Sequence, residues 1–244
     1  MIFKPRNILI FLSLTVIAAC NIYKPTLIEV QNQQVEQKDT ILEYLIAPYR
    51  EALSEEMQTV IADLPADLNK GLPESELGNL ICDLLAEESS KYFYDPIDFT
   101  IYNYGGIRVD KLYAGPLTKG RVFELLPFDN YAVVVSMDYY SVLQLCTKIA
   151  TYGGWPVKGL NMKIKNDTPV SITINGLELD STRTYHVLMN DYMANGGDGL
   201  DFIIGLNQVS SGKPVRDIIL DAIESKTKSG EPITASIENR ITIE

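Results

Sequence analysis

Two short runs of alternating apolar and polar residues, 170–174 and 177–179, meet at Asn175-Gly176. Asn-Gly accepts the positive φ angles that a tight primed turn requires, so the two runs pair as an antiparallel hairpin. Any sheet in this chain is therefore at least mixed. Helical spacing appears elsewhere. After Asp39-Thr40, a capping pair, Ile41, Leu42, Leu45, Tyr49, Leu53, Met57 and Val60 share one helix face, with Pro48 marking a kink or a later start. Residues 64–71 break the pattern. Pro73-Glu74-Ser75-Glu76 opens a second helix, with acids in the first turn where the helix dipole favours them. Leu77, Leu80, Ile81, Leu84 and Leu85 supply its core face. Strands are expected over 99–102, 122–126, 131–138, 184–190 and 240–243, and helices over 141–152 and 215–225. This order predicts an α+β (mixed α/β) fold, a single domain over 40–244 with mixed or antiparallel sheets packed against helices. With 244 residues and 46% hydrophobic content, the chain is long enough to bury such a core.

The first twenty residues read as an address. Lys4 and Arg6 precede an apolar run over 8–19, and the small Ala18 and Ala19 precede Cys20. The run is too short to span a bilayer and has the layout of a secretory signal. Ile17-Ala18-Ala19-Cys20 resembles a bacterial lipobox, in which the cysteine is lipidated and becomes the first mature residue. The expectation is a lipid-anchored protein of the bacterial cell envelope, at the outer membrane, facing the periplasm or the surface. Residues 21–39, polar and Gln-rich, read as a tether between anchor and domain. Cys82 and Cys146 sit in apolar helical runs and read as free, buried thiols.

Charge and histidine content exclude whole classes of function. Against 21 Lys and Arg stand 32 Asp and Glu, a formal net charge of −11. That is a poor match for a nucleic-acid polymer, whose phosphate backbone needs a basic face. The single histidine, His186, lies mid-strand and reads as a structural or surface residue. One His and three Cys cannot build the multi-His sites of hydrolytic di-metal enzymes or most zinc sites. Chemistry must come from carboxylates, hydroxyls or a partner.

Three segments carry residues suited to recognition. In Asn103-Tyr104-Gly105-Gly106-Ile107-Arg108, two glycines let the backbone turn tightly and expose amides, and an Arg follows whose planar fork grips phosphate. In Leu126-Pro127-Phe128-Asp129-Asn130, an aromatic beside short polar residues suits stacking on a base. Residues 190–199 interleave Asn and Asp with three glycines, opened by Tyr192, with Asp198 projecting. Each has a plainer alternative: a glycine turn with a surface Arg, a core Phe in a connecting loop, a decorative turn. Trp155 reads either as a pocket wall or as core packing.

The segments LGNLICD (77–83), NYGGIR (103–108), LPFDN (126–130) and DYMANGGDG (191–199) resemble, in that order, the C-terminal domain of 5′-nucleotidases. Smaller echoes are the block over 114–130 and VRDII at 215–219. The resemblance covers roughly 41–244. It implies that Arg108 contacts substrate phosphate and that Asn103 lines the nucleoside side. It further implies that Phe128 and Tyr192 hold the two faces of the base, Tyr192 standing where Phe is usual. Asn130 would touch the nucleoside, and Asp198 the ribose hydroxyls. Some members carry a second phosphate-binding Arg where this chain has Asn79; Lys70 is then the candidate basic residue. Tyr104 replaces a glycine of the usual NGGGIR. Full-length members also carry a metallophosphatase domain whose His and Asp residues hold two metals, and no such motifs occur in this sequence. The resemblance thus implies a nucleotide-recognition module that binds no cofactor itself and is inactive alone, with divalent metals on a separate metallophosphatase subunit. The alternatives are a non-catalytic nucleotide- or nucleoside-binding surface lipoprotein and a degenerate protein-interaction domain.

Overall fold

The computed structural model describes residues 40–244, with side chains from Leu42 onward. The expected leader, the lipidation expected at Cys20, the expected tether over 21–39 and the expected cap at Asp39 lie outside the described residues. The chain divides into two compact units between Ala47 and Pro48. Of the first, only the opening of helix α1 (Thr40–Gln58) is described; the helix continues through Pro48. All remaining elements belong to the second unit. They are β1 (Val60–Leu64), β2 (Leu68–Asn69), α2 (Glu76–Ser89), β3 (Phe99–Ile101), β4 (Lys111–Leu112), β5 (Gly115–Thr118) and α3 (Lys119–Leu125). Then come β6 (Tyr131–Met137), α4 (Tyr139–Thr151), β7 (Val157–Lys158), β8 (Leu160–Lys165), β9 (Thr168–Ile174) and β10 (Leu177–Glu178). The chain closes with β11 (Tyr185–Asn190), α5 (Asp191–Ala194), β12 (Gln208–Pro214), α6 (Val215–Ser229) and β13 (Ile241–Ile243).

The organising layer is a five-stranded sheet of order β12-β6-β11-β3-β7. Strands β3 and β11 run parallel, while β6 is antiparallel to both β11 and β12. Its two faces feed two cores. Along β6, Ala132 and Val134 point into one core with α2, α3 and α6; Val133, Val135 and Met137 point into the other. The second core is closed by α4 and by the smaller sheet β10-β9-β8-β13. Burial of both faces explains why β6 is an unbroken apolar run from Ala132 to Val135 instead of alternating with polar residues. Trp155 packs in the second core beside Tyr152, not as a pocket wall. Cys82 and Cys146 are free and buried, and burial pushes the Cys146 thiol up to about 12. Burial raises the Cys82 thiol as well.

The hairpin forms at the expected place, with Asn175 at φ 50° and Gly176 at φ 79° between β9 and β10. A second hairpin joins β8 to β9 through Asn166 and Asp167, also at positive φ. Several expectations need correction. Residues 122–126 are not a strand: Thr118 caps α3 by accepting from the Arg121 backbone N–H, and Val122 and Leu125, three apart, face the core. Short apolar runs do not separate helix from strand by periodicity alone, and here the cap decides. Val60 does not extend the first helix; α1 stops at Gln58 and Val60 opens β1. Tyr49 and Leu53 are exposed on α1, so that stripe is not a core face within the second unit. The breaker stretch contains β2, which pairs with β4.

The C-terminal strand is held by one buried cation. Arg240 is 3% exposed. Its Nη1 donates to the Val157 carbonyl at 2.7 Å, its Nη2 to Asp83 at 2.8 Å and its Nε to Glu238 at 3.0 Å. These bonds tie β13 to β7 and α2, and β13 in turn completes the smaller sheet through parallel pairing with β8. Removing the guanidinium leaves the Val157 carbonyl without its donor, while Asp83 and Glu238, 31% and 50% exposed, turn to water. Arg240→Ala is therefore expected to lower unfolding free energy by about 1–3 kcal/mol in urea titrations at neutral pH. A loss below about 1 kcal/mol would contradict this role.

Candidate functional site

The sheet topology gathers the three motif segments. Because β3 and β11 are parallel, their C-terminal ends share one sheet edge; because β6 is antiparallel to β11, its start lies at that edge too. Asn103 follows β3, the Asn190 segment closes β11, and Asn130 immediately precedes β6. The loops over 103–108, 126–130 and 190–199 therefore converge at the edge where α/β sheets favour ligands.

Buried amides join two of these loops. Asn190 is fully buried and caps α5, its Oδ1 accepting from the Met193 N–H at 2.8 Å. Its Nδ2 donates to Asn103 Oδ1 at 2.9 Å, and Asn103 Nδ2 donates to Asp198 Oδ2 at 2.7 Å. Burial holds the pKa of the neighbouring Tyr102 hydroxyl above the usual tyrosine value. Gly106 is required here: a Cβ would lie 2.7 Å from the Tyr102 ring and 2.8 Å from Asn103 Oδ1. Asp198 itself sits in the left-handed region at φ 54°, between glycines 196 and 199, also at positive φ. Its backbone carbonyl accepts from the Tyr152 hydroxyl at 3.4 Å, and the Lys148 ammonium lies close against Gly199.

Tyr192 is bound to its own loop. Its ring lies over Gly197, where a Cβ would fall 2.4 Å from a ring carbon. Its hydroxyl donates to Asp198 Oδ1 and accepts from the Asp198 N–H, both at 3.2 Å. On the other side, the Arg108 N–H donates to the Leu125 carbonyl, and its guanidinium lies 5.7 Å from the Phe128 ring centre. The LPFDN loop is pinned from below by Arg216 at the start of α6. That buried side chain donates to the Leu126 carbonyl, pairs with Asp129 and stacks on Phe123. The Val215 N–H adds a bond to the Asn130 carbonyl.

The result is a cleft of about 300 Å³. Asn103, Arg108, Phe128, Asn130, Tyr192 and Asp198 all line it, together with the backbone of Gly105 and Gly106. Phe128 and Tyr192 are each about half exposed, 45% and 46%, so both rings present free aromatic surface. The cleft thus offers two aromatic surfaces, one carboxylate and one guanidinium within a single small-molecule volume. Other residues singled out in the sequence lie elsewhere. Asn79 is buried and donates to Glu74 and to the Ser236 carbonyl, which is a packing role. Lys70 does not line the cleft: its ammonium donates to the Ile107 carbonyl and lies 4.0 Å from the Tyr104 ring centre. Burial lowers the Lys70 pKa, Asp110 opposes that, and Arg108 adds to it. His186 is half-buried in β11 opposite Ser136, and its backbone N–H donates to Asp98 Oδ2. Among the described residues no group of three or more His, Cys, Asp or Glu is gathered as a metal site requires. Sequence reasoning missed Asn190 and Arg216 as supports. The Asn directly before a short helix, and the Arg in the 215–219 echo, were the available signals.

The sequence profile of the 5′-nucleotidase C-terminal domain matches residues 58–139 and 156–204. The chain belongs to that family. The first matched stretch contains the loops over 103–108 and 126–130, and the second contains that over 190–199. The 5′-nucleotidase of Vibrio vulnificus is 30% identical over 179 residues, covering 69% of this chain and 31% of that protein. The 5′-nucleotidase of Vibrio parahaemolyticus is 27% identical over 222 residues, covering 84% of this chain and 38% of that protein. Among solved structures, the 5′-nucleotidase precursor from Thermus thermophilus superposes with a TM-score of 0.70 at 26% identity. That match covers 84% of this chain and 43% of the other. This 5′-nucleotidase C-terminal domain chain therefore spans less than half the length of each of these relatives.

The amide relay has a measurable weight. Asn190→Ala would leave Asn103 Oδ1 and the Met193 N–H without their partner in a buried site. The expected cost is about 2–4 kcal/mol of unfolding free energy in denaturant titration. A variant as stable as the parent would show that the relay does not hold the two loops.

Proposed function

We propose that this chain is a nucleotide-recognition module of 5′-nucleotidase type. The observation that supports it best is the convergence of six residues, from three separate loops, on one cleft in a member of the 5′-nucleotidase C-terminal domain family. In this reading the base stacks on Phe128 and Tyr192, whose rings are about half exposed at the cleft. Asn130 meets the nucleoside, and the sugar hydroxyls donate to the Asp198 carboxylate. The phosphate takes the Arg108 guanidinium, whose fork geometry suits two phosphate oxygens. Asn103 has both ends of its amide engaged within the protein, so its part is chiefly to hold Asp198 toward the ligand.

Hydrolysis of the phosphate ester needs an activated water, which in two-metal sites comes from a metal pair held by several His and carboxylate ligands. The residues described here assemble no such donor set, and the chain contains one histidine. We therefore assign the metals and the chemical step to a separate metallophosphatase chain that meets this module at the phosphate end of the cleft. The lipobox-like Ile17-Ala18-Ala19-Cys20 supports placing the module on the bacterial envelope.

Calorimetric titration of the chain with AMP and adenosine tests the recognition step. Both are expected to bind, with AMP favoured. Phe128→Ala is expected to weaken both by about 1–3 kcal/mol through lost stacking. Arg108→Ala is expected to remove the preference for AMP, worth about 1.5–3 kcal/mol for a charge-assisted contact. No binding by a folded chain, or equal loss in a substitution far from the cleft, would refute the assignment. The chain alone is expected to release no phosphate from AMP in the presence of divalent metal, and an active isolated chain would refute the split assignment.

A further inference from the structure

The phenol of Tyr192 does something its ring does not. Stacking needs only the aromatic face, which a phenylalanine would supply equally. The hydroxyl instead reaches back along the loop and makes two bonds to one residue, donating to Asp198 Oδ1 and accepting from the Asp198 N–H. The ring cannot swing away cheaply on its inner side, because it lies directly against Gly197. On the second carboxylate oxygen, Asn103 Nδ2 donates to Oδ2 at 2.7 Å, and Asn103 is itself fixed by the fully buried Asn190. Each oxygen of Asp198 thus holds one internal donor. The backbone beneath it sits in the left-handed region at φ 54°, and its carbonyl receives the Tyr152 hydroxyl.

An ionised carboxylate has about four lone-pair directions, two on each oxygen. With one on each oxygen taken, one on each remains, and the carboxylate is held by a separate donor on each oxygen. Two neighbouring acceptors, fixed in orientation, match two neighbouring hydroxyl donors. A carboxylate free to rotate would have to be ordered by the ligand, and that ordering would subtract from affinity. The donors here do the ordering beforehand.

We propose that the Tyr192 hydroxyl is a positioning group for sugar recognition: by clasping Asp198 it fixes the carboxylate for a vicinal diol and so sets the preference of the cleft for ribose over sugars lacking the 2′ and 3′ hydroxyls. The proposal rests on the nucleotide reading of the cleft given above and assigns the sugar preference within it.

The test compares affinities of the full chain for adenosine and for 2′,3′-dideoxyadenosine, in the parent and in Tyr192→Phe, with near-ultraviolet circular dichroism confirming the fold of each. The quantity read is the ratio of the two dissociation constants. The parent is expected to favour adenosine roughly tenfold to a hundredfold, the range for hydrogen bonds to a charged acceptor. In Tyr192→Phe the ratio is expected to fall severalfold, toward unity, although the stacking ring is kept. A ratio that is unchanged or larger in Tyr192→Phe would overturn the proposal and leave the nucleotide reading standing. Equal affinity of the parent for the two nucleosides would do the same. A parent that binds neither would remove the nucleotide reading and this proposal together.

Discussion

The arrangement depends on one buried amide. Asn190 ends a strand, caps the short helix that follows and reaches across to Asn103, all without exposure to solvent. A buried primary amide carries two donors and a carbonyl that must be satisfied, and each unsatisfied group costs more than a satisfied one contributes. That asymmetry makes the connection between two loops close to all-or-none. Once Asn103 is fixed, its remaining donor fixes Asp198, and the left-handed turn at Asp198 presents its carboxylate in the cleft. The chain from a fully buried amide to a half-buried acid is how a rigid sheet hands its order to a loop.

That hand-over works only because the sheet places the loops together. Parallel pairing of β3 with β11 and antiparallel pairing of β6 with β11 put two strand ends and one strand start at a single edge. Both sheet faces are buried, so a register slip by one residue would exchange the side chains between the two cores. The site inherits that registry. Arg216 does for the LPFDN loop what Asn190 does for the glycine-rich one: it links a loop carbonyl and an acid to a helix packed in the core.

Much of this was legible in the sequence, for physical reasons that differ from part to part. The Asn175-Gly176 hairpin was legible because its backbone demands are met by few residue pairs. The helix from Glu76 was legible because Ser75 caps it and its leucines keep helical spacing. The cleft residues were legible through motif resemblance and through residue chemistry, two aromatics with an acid and an arginine. Helix α3 was not, because five residues rich in apolar side chains fit either period and only the Thr118 cap separates them. Strand β12 was not, because it is an exposed, polar edge with an irregular register between Ser210 and Pro214. The Tyr192 clasp was hidden as well. It depends on the positive φ at Asp198 and on the ring lying against Gly197, and both are matters of three-dimensional turn geometry.

The nucleotide reading requires that the three loops at one sheet edge act as a single binding cleft. A crystal structure of the chain with AMP tests it most directly. The base is expected against Phe128 and Tyr192, the sugar hydroxyls on Asp198 and the phosphate on Arg108, with the Asn190–Asn103–Asp198 bonds intact. Nucleotide bound at another surface, or bound in this cleft with its phosphate turned away from Arg108, would contradict it.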